Sequence, residues 1–346
     1  MRGVEELKNF VKVWITVTAC LTYCYFIVRK TPKGSKRLIL LIPVFSIFTL
    51  LPLYLSSIHF IIIVTGFITW ICNFKLILFA FNSGPLSSNP SISLPQFISI
   101  ASLPVQIRQK NQSHSRNGPK TTSNYALKAL LLALLLKFYD FRQFLHPKII
   151  LVLYACHIYF IIEIILAISA FPVRTLLGFE IEPQFDDPYL TASLEDLWGK
   201  RWNLMISNIL RITIHIPIKK VLTRVVGRKG AAVIGLLASF IVSGFMHELL
   251  GFYLTRSKPS WELACFFTVN GIAVALEILV KNAVGGRFRF PFVISFLLTW
   301  GYITTTGFWF FFPPFVRNRV DWRAIEEYYV LADLMKGVFL WPLRNK

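Results

Sequence analysis

An adjacent histidine and glutamate, His247 and Glu248, lie inside an apolar run that extends from Gly230 to Leu254. The run contains no other charged or strongly basic side chain. Because an ionisable group is costly at membrane depth, such a pair marks a functional site by default. Burial disfavours the charged imidazolium, so a histidine in this position is expected to be neutral and able to accept a proton.

Two common enzyme arrangements do not fit this pair. The zinc protease pattern HExxH needs a second histidine at position 251, which is Gly251. The G-x-S-x-G elbow of serine hydrolases does not occur anywhere in the chain. The remaining interpretation is that His247 acts as a general base, alone or with a helper that forms a hydrogen bond.

A candidate helper lies upstream, in a short segment rich in tryptophan and basic residues. Trp198 and Trp202 are one helical turn apart, which suits the membrane interface where indoles concentrate. Lys200 and Arg201 between them have the chemistry to bind phosphate. Asn203 follows and would place an amide at the mouth of a cavity. An interfacial aromatic belt and a binding site both remain open as interpretations of this segment.

Small residues line one side of the predicted His247 helix at four-residue steps. Such a stripe is typical of close packing between membrane helices. Ser243 is one turn before His247 and is a candidate supporting residue. Glu248 lies about 100° around the helix from His247, so it is expected to contact a neighbouring helix rather than the imidazole. The stripe comprises Gly235, Ser239, Ser243, His247 and Gly251.

The composition is that of a membrane protein. The 346 residues are 55% hydrophobic and 16% charged, with a mean hydropathy of +0.59, whereas soluble domains carry about 25% charged residues. About eight runs are long enough to cross a bilayer, at roughly 20 residues for each span. They are 9–28, 38–57, 58–81, 126–142, 148–171, 230–254, 261–280 and 289–312. The expected fold is therefore all-α: a single membrane domain, 1–346, whose helical bundle encloses an intramembrane reaction chamber.

The net charge of +20 is concentrated in short loops, which favours a membrane topology over nucleic-acid binding. The loops 29–37 and 82–125 are basic without acids, a pattern that predicts a cytosolic position for both. The later basic segments 200–229 and 281–289 fall on the same side, and the N-terminus then faces the lumen. Within 200–229, residues 204–222 are predicted to form an interfacial helix because basic residues and a proline interrupt them.

Three further segments carry predictions. Residues 82–125 are predicted to be a flexible cytosolic loop whose glycosylation sequon at Asn111 is never used. Residues 172–204 form a second cytosolic loop, which contains the Trp-rich segment. The tail 317–346 is amphipathic and is expected to lie along the membrane surface. The five cysteines all fall in apolar runs, which argues against a disulfide framework or a metal site.

Together, residues 198–203 (WGKRWN) and 244–249 (GFMHEL) resemble the plant wax synthase branch of the membrane-bound O-acyltransferase superfamily. Asn203 and His247 are 44 residues apart (247 − 203), which is similar to the spacing of its Trp-Asn and His-Glu motifs. Further matches cover nearly the whole chain: 5–10, 73–81, 188–191 and 259–262. One departure is Leu197, where the branch usually has an aromatic residue.

The resemblance implies an enzyme of the endoplasmic reticulum that transfers a fatty acyl group from acyl-CoA to a lipophilic alcohol. His247 would take the proton of the hydroxyl, and Asn203 would donate to the oxyanion or hold the imidazole. Acyl-CoA is the co-substrate, and neither a metal nor another cofactor is expected. The residues expected to bind acyl-CoA are Trp198, Lys200, Arg201 and Trp202.

Three functions stay open. A long-chain fatty alcohol as acceptor gives a wax ester, and a sterol acceptor gives a sterol ester by the same chemistry. A non-catalytic, proton-coupled lipid transporter could also use His247 and Glu248. The expected partners are acyl-CoA, the alcohol or sterol, and membrane lipids but no nucleic acid; the sequence does not indicate an oligomeric state.

Overall fold

The computed structural model describes residues 2–88, 91–106, 122–178, 181–285 and 290–330, and in these ranges the chain forms helices and no β-sheet. The all-α prediction is therefore confirmed. The α-helices are α1 Arg2–Phe26, α2 Ser35–Leu50, α3 Ile58–Val64, α4 Asn73–Ala80, α5 Leu94–Ser102, α6 Thr122–Phe138, α7 Pro147–Leu177, α8 Leu194–Asp196, α9 Leu204–Leu210, α10 Ile216–Thr255, α11 Glu262–Val284, α12 Phe292–Thr306 and α13 Pro313–Arg317.

Four π-helical turns lie within or beside these helices. Thr65–Cys72 joins α3 to α4, and Arg211–His215 joins α9 to α10. Leu197–Arg201 follows α8, and Gly307–Phe311 follows α12. Such turns are uncommon and concentrate at functional sites. Two of them, Thr65–Cys72 and Gly307–Phe311, supply aromatic rings close to His247.

Seven described stretches are long and apolar enough to cross a membrane, so the chain is a multi-pass membrane protein. They are Gly3–Lys30, Ser35–Tyr54, Ile58–Ala80, Pro147–Thr175, Leu204–Thr255, Glu262–Val284 and Phe292–Arg317. The other predicted span, 126–142, lies in α6, a helix of 17 residues that continues as the 3₁₀ turn Tyr139–Phe144. It is shorter than the seven because the polar residues of that turn end the apolar run.

The segment 204–255 folds as an antiparallel hairpin, which corrects the prediction of an interfacial helix at 204–222. The backbone leaves helical geometry at Gly227 (φ 73°, ψ 169°). Twenty residues separate His215 from Gly235, yet a Cβ on Gly235 would lie 2.9 Å from the carbonyl oxygen of His215. The first arm packs into the bundle through a row of apolar side chains. The basic residues of 204–222 make this row hard to recognise in the sequence. That row is Met205, Ile206, Ile209 and Leu210, packed against Trp70, Ile71 and Phe74.

The bundle has two ends, which the loop contacts define. At the basic end, the backbone N–H of Gly34 donates to the carbonyl of Ala80 at 2.8 Å. At the opposite end, Tyr253 donates to the carbonyl of Thr49 at 2.6 Å, and Arg256 to that of Leu55 at 2.7 Å. The second hairpin arm therefore runs from its turn at the basic end to the opposite end. Which end faces the cytosol stays a prediction.

The predicted loop 82–125 contains the helix α5, which the sequence interpretation did not anticipate. Ser93 and Gln96 form a capping box at its start, and Phe97 and Ile100 are buried in the core. The buried Lys75 donates to the carbonyls of Ile100 (2.6 Å) and Leu103 (2.8 Å) at its end. Asn111 lies outside the described residues.

The first part of the predicted surface tail packs across the opposite end of the bundle. Residues 320–330 are helical. Tyr154 donates to Asp321 at 2.7 Å, and the N–H of Ile58 donates to Glu327 at 2.6 Å. These polar contacts fix the segment to α3 and α7, and its position along the membrane surface stays a prediction. Residues 331–346 lie outside the described part.

Candidate active site

The imidazole of His247 is oriented by its own helix. Its Nδ1 lies 2.7 Å from the carbonyl oxygen of Ser243, one turn earlier in α10. A carbonyl only accepts hydrogen bonds, so Nδ1 carries the proton and donates it. In the neutral imidazole, Nε2 is then the nitrogen with a free lone pair. Ser243 thus supports His247 through its backbone.

Aromatic rings surround the imidazole. Phe267 of α11 stacks on it with ring centroids 4.0 Å apart, and Trp70 meets it edge to face at 5.0 Å. Phe311, in the π-helical turn after α12, lies at 6.5 Å. Trp70 and Phe267 are buried, whereas His247 is only half-buried. The ring therefore sits in apolar surroundings.

Glu248 caps the neighbouring helix rather than contacting the imidazole. Its Oε1 accepts a hydrogen bond from the backbone N–H of Ala264 at 3.1 Å, in the first turn of α11. The first four N–H groups of a helix lack partners within the helix, and the helix dipole favours a negative charge at this terminus. This contact agrees with the position expected from the helical wheel.

The small-residue stripe brings α11 close to α10. A Cβ on Gly244 would lie 2.9 Å from the Cα of Ala264, and a Cβ on Gly251 would lie 2.9 Å from Leu263. Only glycine permits this approach, which places Phe267 against the imidazole. Close packing, the plain interpretation of the stripe, is confirmed at these two positions and at Gly235.

The Trp-rich segment ends in a strained turn at Asn203. After the π-helical turn, Trp202 is extended and Asn203 takes left-handed angles (φ 41°, ψ 66°), which asparagine tolerates better than most residues. Its Oδ1 accepts from the N–H of Ile206 at 3.4 Å and caps α9. Among the described residues, nothing accepts from its Nδ2. The conformation of the turn therefore fixes the position of this amide donor.

Gln184 fixes the same turn, and sequence reasoning missed it. Its carbonyl accepts from the N–H of Leu204 at 2.8 Å, and its Oε1 accepts from the N–H of Met205 at 3.1 Å. Together with Asn203, it satisfies three N–H groups at the start of α9. No pattern in the acidic loop could have singled out this glutamine.

Arg201 holds the loop together instead of presenting a free guanidinium. Its Nε pairs with the carboxylate of Asp196, and its NH1 donates to the carbonyls of Asp186 (3.1 Å) and Asp187 (3.3 Å). Its nearest anion is thus the acidic half of its own loop, and a contact of Arg201 with the phosphates of acyl-CoA stays a prediction. Lys200 is exposed.

The two tryptophans connect the segment to the histidine. Trp198 lies 5.9 Å from Phe267, the ring that stacks on His247, so the two motifs share one aromatic neighbour. Trp202 meets Phe185 at 5.1 Å and anchors the other side of the loop. Rather than staying in an outer loop, residues 198–203 reach into the bundle.

The hairpin places Asn203 and His247 at the same depth. Residue 215 lies opposite residue 235, and antiparallel arms in that register bring residue 203 opposite residue 247. Met246 and Met205 share the cluster around Trp70, which supports the register. No hydrogen bond joins Asn203 to His247 among the described residues. Of the two roles considered for Asn203, the donor to substrate agrees with this geometry.

Trp70, Phe267 and Phe311 complete the site and carried no signal in the sequence, because aromatic residues are common in every apolar run. The assembled groups are a proton acceptor at Nε2, an amide donor on the facing arm and an apolar enclosure. Such a set can deprotonate a hydroxyl and stabilise an oxyanion while water is excluded.

Comparison with known proteins agrees with this chemistry. Residues 181–269, which include both motifs, match the membrane bound O-acyl transferase family. The chain is 42% identical to acyl-CoA–sterol O-acyltransferase 1 of Arabidopsis thaliana, with 98% of each chain covered. It is 44% identical to the long-chain-alcohol O-fatty-acyltransferase of Simmondsia chinensis, covering 96% of this chain and 97% of that protein. It is also 43% identical to probable long-chain-alcohol O-fatty-acyltransferase 1 of Arabidopsis thaliana, covering 96% and 98%. The chain therefore belongs to the membrane-bound O-acyltransferase family and is an acyltransferase.

Proposed function

We propose that the enzyme transfers a fatty acyl group from acyl-CoA to the hydroxyl of a long-chain fatty alcohol, giving a wax ester and CoA. The observation that carries the proposal is the hydrogen bond from His247 Nδ1 to Ser243, which leaves Nε2 as a proton acceptor beside the Trp-Asn turn. Several relatives of 36–44% identity over nearly the full chain are named as long-chain-alcohol O-fatty-acyltransferases. Because the family is enzymatic, the transporter alternative is set aside.

In the proposed reaction, Nε2 of His247 removes the hydroxyl proton as the alcohol oxygen bonds to the thioester carbonyl carbon. The carbonyl oxygen becomes an oxyanion and accepts a hydrogen bond from Nδ2 of Asn203. The oxyanion then re-forms the carbonyl, the carbon–sulfur bond breaks and the CoA thiolate takes the proton from the imidazolium. No net proton is released, so the site needs no path to water.

The apolar enclosure serves the chemistry. Water would hydrolyse the thioester, and both substrates have long hydrocarbon chains, so a dry chamber excludes the competitor and dissolves the reactants. Trp198 and Trp202 form part of its wall, and Lys200 stays a candidate contact for acyl-CoA. We also propose that no metal or other cofactor takes part; turnover that is unchanged after treatment with a chelator would agree.

A sterol acceptor is the second candidate, because a sterol O-acyltransferase is 42% identical over 98% of both chains. The hydroxyl chemistry is the same for both acceptors. The discriminating property is the shape of the acceptor cavity, which the two motifs do not define.

The test is expression in a yeast strain that lacks its neutral-lipid acyltransferases, fed with a panel of fatty alcohols and sterols. Wax ester as the main product supports the proposal, and steryl ester as the main product supports the second candidate. His247→Ala at matched abundance is the control for residual activity. No ester of either class from the intact enzyme would overturn the proposed function.

We place the enzyme in the endoplasmic reticulum membrane with its basic end in the cytosol, where acyl-CoA is found. Support comes from the positive charge at that end, in residues 29–37 and in residues 219–229 around the hairpin turn. Protease accessibility of tags inserted between residues 107 and 121 of microsomal enzyme tests the orientation. Protection of those tags in sealed microsomes would reverse it.

A further inference from the structure

The first arm of the hairpin carries a row of basic residues that leads away from the candidate active site. The arm starts at Asn203, at the depth of His247 in the register of the hairpin, and rises to the turn at Gly227 at the basic end. From Leu197 to His247 the chain has no acidic residue. The basic residues of the arm are Arg211, Lys219, Lys220 and Arg224, and they lie between the site and the basic end.

Arg211 is the unusual member of this row. It begins a π-helical turn, is exposed, and lies on the arm between the buried Leu210 and the His215–Gly235 contact. Among the described residues it forms no hydrogen bond or ion pair. A cation at membrane depth without an anion is costly and is a functional-site hypothesis by default.

The distance of each residue on the arm from the site follows from the rise of the helix. At 1.5 Å per residue, Arg211 lies about 12 Å above Asn203, and Lys219 and Lys220 lie about 25 Å above it. The second arm runs back alongside the first, so Arg228 and Lys229, just beyond the turn, lie at about the height of Lys219 and Lys220.

The acyl donor has charges at comparable distances. The thioester sulfur and the diphosphate of CoA are joined by a pantetheine chain of thirteen bonds, about 15 Å long at the reach of an extended polypeptide. The 3′-phosphate of the ribose lies farther along the same molecule. A thioester held at Asn203 and His247 therefore carries its diphosphate to the level of Arg211.

We propose, resting on the proposed function, that Arg211 binds the diphosphate of acyl-CoA and that Lys219 and Lys220 bind its 3′-phosphate. The planar guanidinium of arginine donates two parallel hydrogen bonds to a phosphate. Lysine supplies compact charges at the wetter end of the arm. The spacing of these residues along the arm thus matches the spacing of the phosphates in the donor. Binding the phosphates there places the thioester next to the imidazole.

The test uses purified full-length enzyme in lipid nanodiscs and three donors with the same acyl chain: acyl-CoA, acyl-3′-dephospho-CoA and acyl-pantetheine. The intact enzyme should show KM values that rise in that order. Arg211→Gln should raise KM for both nucleotide donors about tenfold, equal to roughly 1.4 kcal/mol. It should leave acyl-pantetheine unchanged, since that donor has no diphosphate. Arg211→Lys should recover part of the loss.

The double variant K219Q/K220Q should raise KM for acyl-CoA to the value for acyl-3′-dephospho-CoA and leave the other two donors unchanged. The matched control K8Q/K12Q removes the same charge from two exposed lysines of α1 near the opposite end of the bundle, and it should change no KM. An equal loss for all three donors would mean that a variant damages the fold. An equal effect of the control would mean a general attraction to anions.

Either of those results, or unchanged KM values in both test variants, would overturn this proposal. The proposed function is judged separately, because it fails only if the intact enzyme makes no ester from any donor. Lys200→Gln, measured in parallel, shows whether this exposed residue in the Trp-rich segment contributes to the same donor contacts; a loss confined to Lys200 would overturn the assignment to the arm.

Discussion

Ser243 and His247 are joined by a hydrogen bond of 2.7 Å between the carbonyl oxygen of the first and Nδ1 of the second. The bond lies within one helix, so α10 alone fixes both the tautomer and the direction of the ring. No carboxylate is needed to orient the base, and Glu248 is used elsewhere, at the start of α11. In the proposed mechanism the imidazole is neutral and its free lone pair is on Nε2.

Replacing His247 should abolish ester formation while leaving the protein folded. A general base contributes typically about 10²–10⁴-fold to the rate, so His247→Ala and His247→Gln should both lose at least two orders of magnitude in kcat. Gln is the stricter comparison because it fills more of the space between Phe267 and Trp70. Abundance and thermal unfolding in detergent should match the parent. A variant that retains the parent rate would remove His247 from the mechanism.

One substitution separates the two functions of Asn203, which are the cap of α9 and the proposed donor to the oxyanion. Asn203→Asp keeps an oxygen to cap Ile206 and tolerates the left-handed backbone, but it loses the Nδ2 donor. Loss of one oxyanion donor typically costs about 3 kcal/mol, so kcat should fall by roughly 10²–10³ with little change in melting temperature. Asn203→Ala should lose stability as well, since it removes the cap and strains the turn. Equal rates for Asn203→Asp and the parent would show that the amide does not touch the reacting atoms.

Gly244 sets the distance between the helices that hold His247 and Phe267. A methyl group there meets the backbone of Ala264 at 2.9 Å, and the backbone can yield only if α11 moves. Gly244→Ala should therefore destabilise the protein by about 1–3 kcal/mol and lower kcat. The control is Gly301→Ala in α12, where no atom lies within 4 Å of the added methyl. Thermal unfolding of both variants checks the prediction, which fails if they melt alike.

The helix that carries His247 and Glu248 and its close packing were predictable, because charge inside an apolar run and small residues at helical spacing are local signals. The direction of Glu248 followed from the helical wheel alone. What surrounds the imidazole was not predictable, since Trp70, Phe267 and Phe311 come from three distant segments of similar composition. Their convergence depends on helix packing, which periodicity does not record.

The first hairpin arm was misjudged for a related reason. Arg211, Pro217 and two lysines made 204–222 look too polar to enter the bundle. Its burial depends on a partner, the cluster around Trp70, and on Gly235, which lets the arms touch. The partners of Arg201 were not predictable for the same reason. The carbonyls of Asp186 and Asp187 come within reach of its guanidinium only when the loop folds.

Glu327 should make the stability of the opposite end of the bundle depend on pH. Burial raises the pKa of this carboxyl, but hydrogen bonds from the His59 ring, the N–H of Ile58, the Ser57 hydroxyl and the N–H of His59 outweigh it. The pKa in the folded protein is therefore below the ordinary 4.5. A carboxyl with a lowered pKa stabilises the fold above its unfolded pKa and loses that contribution as the pH falls through the folded value.

The melting temperature should thus be steady from neutral pH down to about 4.5 and then fall steeply. Glu327→Gln should melt at a lower temperature at neutral pH, because one amide oxygen replaces two carboxylate oxygens that accept four hydrogen bonds. Its acid-side decline should also be shallower than that of the parent. Glu326→Gln alters the exposed neighbour and should follow the parent curve. Parallel curves for Glu327→Gln and the parent, offset only in height, would mean that other carboxyls cause the acid sensitivity.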